Sequence, residues 1–413
     1  MRLTIILFFC FLSFLATSQK IKITADRLFD GENMKTDWGV IVEGNTILEV
    51  GPINQLGKSD ETINYEGGTI MPGMIEGHSH VLLYPYNQTG WNDQVLKESR
   101  SLRAIRGAKM ATKNLYAGFT TIRDLGSEGA GYADVAIKQS IEEGIIDGPR
   151  MLVAGKAIVA TGSYGPKGFH PDFEVPLGAE PADGQNLITV TRDQIGKGAD
   201  FIKVYADYRW GPNKTAMPTF SIEELKLIVE TAKSSGRVVV AHAATAEGMR
   251  RATLAGVKTI EHGSDATVEV LELMKEREVA LCPTLAATHA IAQYFDGWNG
   301  EAPEPRRVLG KREMFKRVLE SGVTIVAGGD VGVFEHGENV KELELMVDYG
   351  MKERDVLRSV TSVNAQIFGL NKLGKLDANF LADIVVVKGN PEESISDLYN
   401  IKLVMKDGKI YKQ

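Results

Sequence analysis

The sequence predicts an α/β protein, a (β/α)8 TIM barrel joined to a small β-sandwich domain that both ends of the chain build. Three observations lead to this prediction. The middle of the 413-residue chain alternates strand-like apolar runs with helical stretches, and both ends contain short strand-like segments around Gly and Asn turns. No strand-like run is followed by a correctly spaced glycine-rich dinucleotide motif. Together these features favour a closed barrel over an open doubly wound sheet.

The amino-terminal segment 1–18 has the layout of a cleavable secretory signal peptide. Arg2 precedes an apolar run that ends in the small residues Ala16, Thr17 and Ser18. The run is short for a bilayer span, so we expect no stable membrane anchor. The mature protein is therefore expected to be secreted or periplasmic.

Two strand-rich ends flank the predicted barrel. Segments such as "WGVIVEGNTILEVG" near the amino terminus and "LVMKDGKIYKQ" at the carboxyl terminus alternate apolar and polar residues. We therefore assign residues 19–68 and 366–413 to the small β domain and residues 69–365 to the barrel.

The composition limits the class of partner. The formal net charge is −7 and the chain has no basic run, which argues against nucleic acid. Removal of the signal peptide would leave Cys282 as the single cysteine, so no internal disulfide is expected. A small-molecule substrate fits this composition best. The oligomeric state stays open, with a homo-oligomer as one alternative.

Apolar runs in the middle of the chain are predicted to be the barrel strands. They cover residues 69–80, 118–124, 151–160, 200–206, 237–242, 257–262, 279–285 and 323–330. Helical stretches separate them, and one of these begins with Ser221 followed three residues later by Glu224, the pattern of a capping box.

Polar residues occur at the carboxyl ends of these predicted strands, where the active site of such a barrel lies. His78 and His80 end the first strand, and period-2 alternation directs both imidazoles to one side. His242, His262 and Asp330 end three later strands, and Lys203 lies within the fourth; these residues are predicted to hold metal. Each residue alone has a structural alternative; Lys203, for example, could be a surface lysine with a buried stem. The ordered set favours a metal site.

The chain resembles the amidohydrolase superfamily, specifically its imidazolonepropionase-like and prolidase-like branch. The matching motifs are "PGMIEGHSH", "GFTTIRDLGS", "FIKVYAD", "AHA", "IEHGSD", "AGGD" and "KLGKLDANFLADIVVVKGNP". The resemblance covers the whole predicted mature chain.

The resemblance implies two divalent metal ions, expected to be Zn²⁺. It implies that His78 and His80 bind the first ion and that His242 and His262 bind the second. It also implies that Lys203, carboxylated by CO2, bridges the ions, while Asp330 ligates the first and is the catalytic proton shuttle. The implied activity is hydrolysis of a C–N (amide or peptide) bond in a small molecule or dipeptide, with a metal-activated hydroxide as nucleophile.

The sequence departs from its relatives at informative positions. Imidazolonepropionases look like single-metal enzymes that lack the bridging lysine. The presence of Lys203 therefore counts against imidazolonepropionase activity in this chain. Ala244 occupies the position where prolidase-like relatives tend to carry a tyrosine for the substrate carboxylate, which leaves dipeptidase activity open.

Residues outside the metal site are assigned to catalysis and substrate binding. His170 lies where relatives place a histidine near the substrate carbonyl, and the resemblance therefore implies a catalytic role, with an ordinary loop histidine as the alternative. Tyr205 and Arg209 are predicted to bind substrate, with a structural role as the alternative. Arg123 and Asp124 are predicted to form a buried ion pair. The loops after the strands are expected to line the pocket with residues Tyr84, Tyr86, Trp91 and Trp210 as well.

Two alternative functions remain at this point. The same pair of ions could hydrolyse a lactone or a phosphoester, since the nucleophile would be the same. A non-catalytic exported binding protein that keeps the barrel is an alternative of a different class, although it would not need a proton shuttle at Asp330.

Overall fold

A computed structural model describes residues 19–170 and 172–413. The predicted signal peptide, residues 1–18, lies outside the described residues, and its assignment stays a prediction.

The strands, in chain order, are β1 Lys20–Phe29, β2 Met34–Thr36, β3 Trp38–Glu43, β4 Thr46–Pro52, β5 Glu61–Pro72, β6 Met74–Ser79, β7 Phe119–Asp124, β8 Arg150–Val153, β9 Ile158–Val159, β10 Glu180–Pro181, β11 Ile202–Tyr205, β12 Asp207–Tyr208, β13 Met217–Pro218, β14 Val239–Ala243, β15 Thr259–His262, β16 Ala280–Cys282, β17 Ile384–Lys388, β18 Ile401–Lys406 and β19 Lys409–Lys412.

The helices are α1 Trp91–Leu96, α2 Arg100–Tyr116, α3 Ala133–Glu142, α4 Asn186–Gly196, α5 Ile222–Lys233, α6 Ala246–Ala255, α7 Val268–Glu276, α8 Leu285–Phe295, α9 Arg306–Ser321, α10 Val340–Asp348, α11 Glu353–Arg358 and α12 Asn364–Ile367. No helix within the described ranges combines the length and the apolar character needed to cross a bilayer.

Strands from both chain ends form one mixed sheet, in the order β19-β18-β17-β5-β1-β3-β4, with β2 paired to β1. The strands of the predicted small β domain thus belong to one continuous sheet, which has an apolar core of its own. Both faces are covered, as β17 shows: Ile384 and Val386 pack in the core of this sheet, while Val385 and Val387 pack in the barrel core. This arrangement explains why β17 is apolar from Ile384 to Val387 instead of alternating.

The barrel is built from parallel strands, as predicted. β6, β7 and β8 pair in that order, and β9, β11, β14, β15 and β16 form a second parallel run. The predicted third strand, 151–160, is interrupted and contributes both β8 and β9. Helices pack on the outside, and α5 begins with the predicted capping box between Ser221 and Glu224.

The predicted eighth strand, 323–330, closes the barrel without forming a regular strand. Single parallel bridges join Ile325 to Leu281 and Val331 to Ser79 on its two sides. Gly328 explains the tight passage, because a Cβ at that position would lie 2.6 Å from the His78 amide nitrogen and 2.7 Å from Cys282 Sγ. The segment therefore runs in close contact with the end of β6.

The predicted first strand also differs from the structure. It divides into β5, which belongs to the terminal sheet and extends to Pro72, and β6, which belongs to the barrel. The division lies at Gly73, where a Cβ would come within 2.1 Å of Thr120 Oγ1. The terminal sheet thus continues past the predicted boundary at residue 68.

Candidate metal centre and substrate cavity

The six predicted ligands converge at the carboxyl end of the barrel. Asp330 Oδ1 lies 3.6 Å from His78 Nε2 and 3.5 Å from His80 Nε2. The centroid of the His262 ring lies 5.1 Å from that of His78 and 4.5 Å from that of His242. These five side chains line one cavity of about 1110 Å³.

Lys203 approaches the same cluster from below. Parallel pairing of β11 with β14 places Tyr205 opposite His242, so Lys203 lies two residues deeper on the same face. Its side chain is only 1% exposed, and Nζ lies 5.6 Å from the centroid of the Tyr205 ring. This burial is incompatible with the alternative of a surface lysine.

Three consecutive strand ends carry left-handed backbone at residues other than glycine. The φ angles are 78° at His262, 49° at Thr284 and 63° at Asp330. Such conformations cost roughly 1–3 kcal/mol each and are concentrated at functional sites. Here they turn His262 and Asp330 into the barrel mouth, and Thr284 Oγ1 lies 2.8 Å from His262 Nδ1.

Burial favours the uncharged forms of the nitrogen donors. It lowers the pKa of His78, His242 and His262 well below the usual value, and the nearby Lys203 lowers it further at His78 and His242. Burial likewise lowers the pKa of Lys203. Neutral imidazoles are the form that binds metal, and a neutral amine is the form that can react with CO2.

A buried carboxylate orients His78 from the side away from the cavity. Glu261 Oε2 lies 2.9 Å from His78 Nδ1, and Oε1 accepts a 2.8 Å bond from Arg123 Nη2. The predicted ion pair between Arg123 and Asp124 is therefore wrong, since Arg123 pairs with Glu261 and Asp124 accepts from the Val81 amide at 2.6 Å. Neighbouring strand residues point to opposite faces, so the two side chains diverge.

Two further carboxylates support the cluster. Glu76 Oε1 accepts from the amides of His78 at 3.0 Å and Gly329 at 2.9 Å, which ties two ligand-bearing segments together. Asp207 Oδ1 lies 3.6 Å from His242 Nε2, and the Asp207 carboxylate accepts hydrogen bonds from the Ala244 amide and from the Thr245 amide and hydroxyl. Like Glu261, neither was predicted from the sequence, although Glu76 and Glu261 lie in the motifs that carry the histidines.

The donor set fits divalent metal ions. Asp330 Oδ1 is buried without a hydrogen-bond partner among the described residues, which is costly unless a cation lies beside it. Single donor atoms of His78, His262 and Asp330 lie within 4.8 Å of one another, and neutral imidazole and carboxylate donors suit Zn²⁺. A second group, His78, Glu261 and Cys282, is explained by the bond between His78 Nδ1 and Glu261.

The cavity contains some of the residues predicted for substrate binding. Tyr86, Tyr205 and Arg209 line it, and so does Ala244. Tyr84, Trp91 and Trp210 do not line it; the indole of Trp210, for instance, donates to the Pro218 carbonyl.

His170 is not brought to the metal ligands. Its side chain is 75% exposed, it does not line the cavity, and its Nδ1 lies 3.7 Å from Asp172 Oδ2. The structure therefore gives no support to the predicted catalytic role of His170. The loop that carries it extends outward beyond β9, and strand position alone could not predict this.

Comparison with known proteins identifies the family. The model of the amidohydrolase family matches residues 69–411. Ochratoxinase of Aspergillus niger is 30% identical over 382 residues, which cover 83% of this chain and 75% of the relative.

Solved structures agree with this assignment. A Xaa-Pro dipeptidase with methionine bound in its active site matches with a TM-score of 0.84 and 30% identity, covering 95% of this chain and 100% of that one. A prolidase complexed with N-methylphosphonate-L-proline matches with a TM-score of 0.81 and 27% identity, covering 95% and 100% of the two chains.

These matches confirm the resemblance to prolidase-like amidohydrolases and the barrel fold that it implied. Members of this family generally bind divalent metal ions, in agreement with the candidate ligands above. The chain belongs to the amidohydrolase family, and it is a hydrolase that acts on carbon–nitrogen bonds.

Proposed function

We propose that the protein is a metal-dependent amidohydrolase that cleaves the amide or peptide bond of a dipeptide or an N-acyl amino acid. The observation that carries this proposal is the convergence of four imidazoles and a buried carboxylate on one cavity, with the buried Lys203 deeper on the same face of the barrel. His78, His80 and Asp330 would hold one ion and His242 and His262 a second, with Lys203 carboxylated by CO2 between them. The ions, expected to be Zn²⁺, would activate water and polarise the scissile carbonyl.

Asp330 is the proposed proton shuttle. Its Oδ1 faces the cavity side of both His78 and His80, and burial raises the pKa of its carboxyl group. A carboxylate whose proton affinity is increased can accept a proton from the attacking water and deliver it to the leaving nitrogen. Hydrolysis of an amide needs this delivery, because an amide nitrogen leaves only after protonation.

Arg209 is the proposed anchor for a substrate carboxylate. It lines the same cavity as Ala244, the position at which prolidase-like relatives tend to carry a tyrosine. Its guanidinium lies 5.7 Å from the Tyr208 ring, and a planar guanidinium can bind a carboxylate through two hydrogen bonds. The rings of Tyr86, Tyr164 and Tyr205 give the cavity aromatic surface suited to an apolar residue next to the scissile bond.

A metal-reconstituted screen tests the proposed reaction. Dipeptides and N-acyl amino acids are expected to be hydrolysed faster than lactones or phosphoesters. Hydrolysis of lactones or phosphoesters alone would replace the proposed reaction with the alternative one.

The anchor is tested by comparing kcat/KM for a carboxylate substrate and its amide in wild type and Arg209→Ala. Arg307→Ala is the matched control, because Arg307 also lines the cavity but its guanidinium pairs with Asp296 at 2.5 Å. The carboxylate preference is expected to fall only in Arg209→Ala. An unchanged preference would remove the anchoring role.

Export is proposed from the sequence of residues 1–18. Amino-terminal sequencing of the mature protein should place its first residue near residue 19, and the protein should be recovered outside the cytoplasm.

A further inference from the structure

The cavity wall contains a carboxylate to which the proposed metal chemistry assigns no role. Glu128 follows β7, lines the cavity and is only 4% exposed. Its Oε2 accepts hydrogen bonds from Trp91 Nε1 at 2.8 Å and the Tyr164 hydroxyl at 2.7 Å, and its Oε1 accepts from the Tyr205 hydroxyl at 3.2 Å. The carboxylate is thus held in a fixed position by three aromatic side chains.

Trp91, Tyr164, Tyr205 and Tyr208 form an aromatic enclosure beside this carboxylate, and the three tyrosines line the cavity. The centroid of the Tyr164 ring lies 4.7 Å from that of Tyr205, 4.8 Å from that of Tyr208 and 5.3 Å from that of Trp91. Apolar ring surface lowers the local dielectric constant and so strengthens the attraction between the buried carboxylate and an opposite charge. The combination of a fixed carboxylate with several aromatic rings suits a positively charged organic group.

The charge of Glu128 has no cationic partner among the residues that the structure describes. All three donors to its carboxylate are uncharged. Arg103 is nearby, but its guanidinium donates to the backbone carbonyl oxygens of Leu82, Ser127 and Glu128 and so fixes the loop instead. A carboxylate can accept about four hydrogen bonds, so one acceptor direction stays free. A buried carboxylate without a counter-charge is costly, and a cationic ligand would offset that cost.

Glu128 is close to the candidate metal centre. One Tyr205 side chain connects the two: its ring stacks on His242 with centroids 4.5 Å apart, and its hydroxyl donates to Glu128. On the other side, His80 Nδ1 bonds to the carbonyl of Gly126 at 2.9 Å, two residues before Glu128. A substrate whose carbonyl reaches the metal ligands can therefore present a nearby charged group to Glu128.

We propose that Glu128, within the enclosure of Trp91, Tyr164, Tyr205 and Tyr208, binds a positively charged nitrogen of the substrate. The nitrogen is the α-ammonium group of an unblocked amino-terminal residue or the charged end of a basic side chain. The inference rests on the proposed function, because it names the substrate class of the same cavity. It favours dipeptides with a cationic group over neutral N-acyl substrates.

The experiment compares three substrates that share one leaving residue: leucyl-phenylalanine, N-acetyl-leucyl-phenylalanine and N-acetyl-lysyl-phenylalanine. The neutral acetyl-leucyl compound is the reference for both cationic sources. Wild type is expected to prefer one cationic substrate by about 10-fold or more in kcat/KM, the effect of one charge-assisted hydrogen bond. Preference for the first compound identifies the α-ammonium group, and preference for the third identifies the side chain.

Glu128→Gln keeps the shape of the side chain and removes its charge, so the preference ratio is expected to fall close to one. The ratio cancels any shared loss of folding or metal content. Glu313→Gln is the matched control, because Glu313 lines the same cavity outside the aromatic enclosure, and it is expected to retain the preference. If Glu128→Gln does not fold, Glu128→Asp replaces it; this variant withdraws the charge by one methylene and is expected to lower the ratio.

A binding measurement separates this inference from the proposed function. Calorimetric Kd values for the same compounds in Asp330→Asn report recognition without turnover, and the cationic preference is expected there too. Equal kcat/KM for neutral and cationic substrates, or a preference that survives Glu128→Gln, would overturn the inference while leaving the proposed reaction intact. If the protein hydrolyses none of the three compounds, the result counts against the proposed function. The ratio of Kd values for the neutral and cationic compounds, measured with and without Glu128→Gln, would then decide the inference.

Discussion

Replacing Glu261 by Gln should weaken both the fold and the metal site. The Glu261 side chain is fully buried and bonds to Arg123 Nη2 at 2.8 Å and His78 Nδ1 at 2.9 Å. Removing its charge leaves the guanidinium of Arg123, itself 3% exposed, without a counter-charge. Loss of one partner from such a buried pair costs about 3–5 kcal/mol. Loss of the carboxylate behind a metal-binding imidazole typically lowers metal affinity about 10- to 100-fold.

Two assays separate these effects. Urea unfolding of the metal-free protein measures the loss of folding free energy, and competition with a chelator measures metal affinity in the folded variant. Glu272→Gln is the control, since Glu272 is exposed on α7 and should change neither quantity. A Glu261→Gln protein that unfolds at the wild-type urea concentration and holds metal as tightly would refute the assignment of Glu261 to both roles.

Three further predictions follow from the same geometry. Asp330→Asn is expected to lower kcat by at least ~100-fold, because it removes acid–base catalysis. The metal content measured by elemental analysis should change little, because the imidazole ligands remain. Near-normal turnover would exclude Asp330 as the proton shuttle. Burial raises the pKa of Glu342 from 4.5 to about 8. The contribution of its protonated form to the free energy of unfolding is therefore present below pH 4.5 and is lost as pH rises toward 8, at about 1.4 kcal/mol per pH unit. The free energy of unfolding of the metal-free Glu342→Gln variant should lack this slope, and parallel pH profiles of the two proteins would contradict the prediction. Gly328→Ala is expected to destabilise the fold by about 1–3 kcal/mol, because the added methyl group would overpack against His78 and Cys282. Gly310→Ala is the control: Gly310 lies within α9 with open space at its Cβ position, so this change should be neutral or stabilising. Equal melting temperatures of the two variants would contradict the packing argument.

Local sequence patterns predicted the features that depend on regular strands. Period-2 alternation placed His78 and His80 on one side, and apolar runs located the parallel strands that bring His242 and His262 to the same end of the barrel. The capping box at Ser221 likewise depends only on residues close in sequence. These predictions hold because each rests on contacts or geometry within one element.

Alternation failed where the backbone leaves strand geometry. Adjacent strand residues should point to opposite faces, yet Glu261 faces the barrel interior and His262 also reaches the cavity, because His262 adopts a φ of 78°. The left-handed conformations of Thr284 and Asp330 are similar cases. Tertiary packing imposes them, and no residue type in the sequence indicated them.

Hydrogen-bond partners distant in the chain and the positions of loop residues could not be predicted from the sequence either. Arg123 pairs with Glu261, more than one hundred residues away, and not with its neighbour. The position of the Glu128 carboxylate depends on rings from three separate segments, although a charged residue in the turn "GSEGAG" after β7 was a usable signal. His170 lies at an exposed position that its distance from β9 in the chain did not reveal.

The metal content of active, CO2-equilibrated protein tests the central claim most directly. We predict about two divalent ions per chain in wild type by elemental analysis. Lys203→Ala is expected to reduce that content and to abolish most of the activity, with partial rescue by a small carboxylic acid that replaces the bridging group. A single ion in fully active enzyme, unchanged by Lys203→Ala, would contradict the two-metal account of this site.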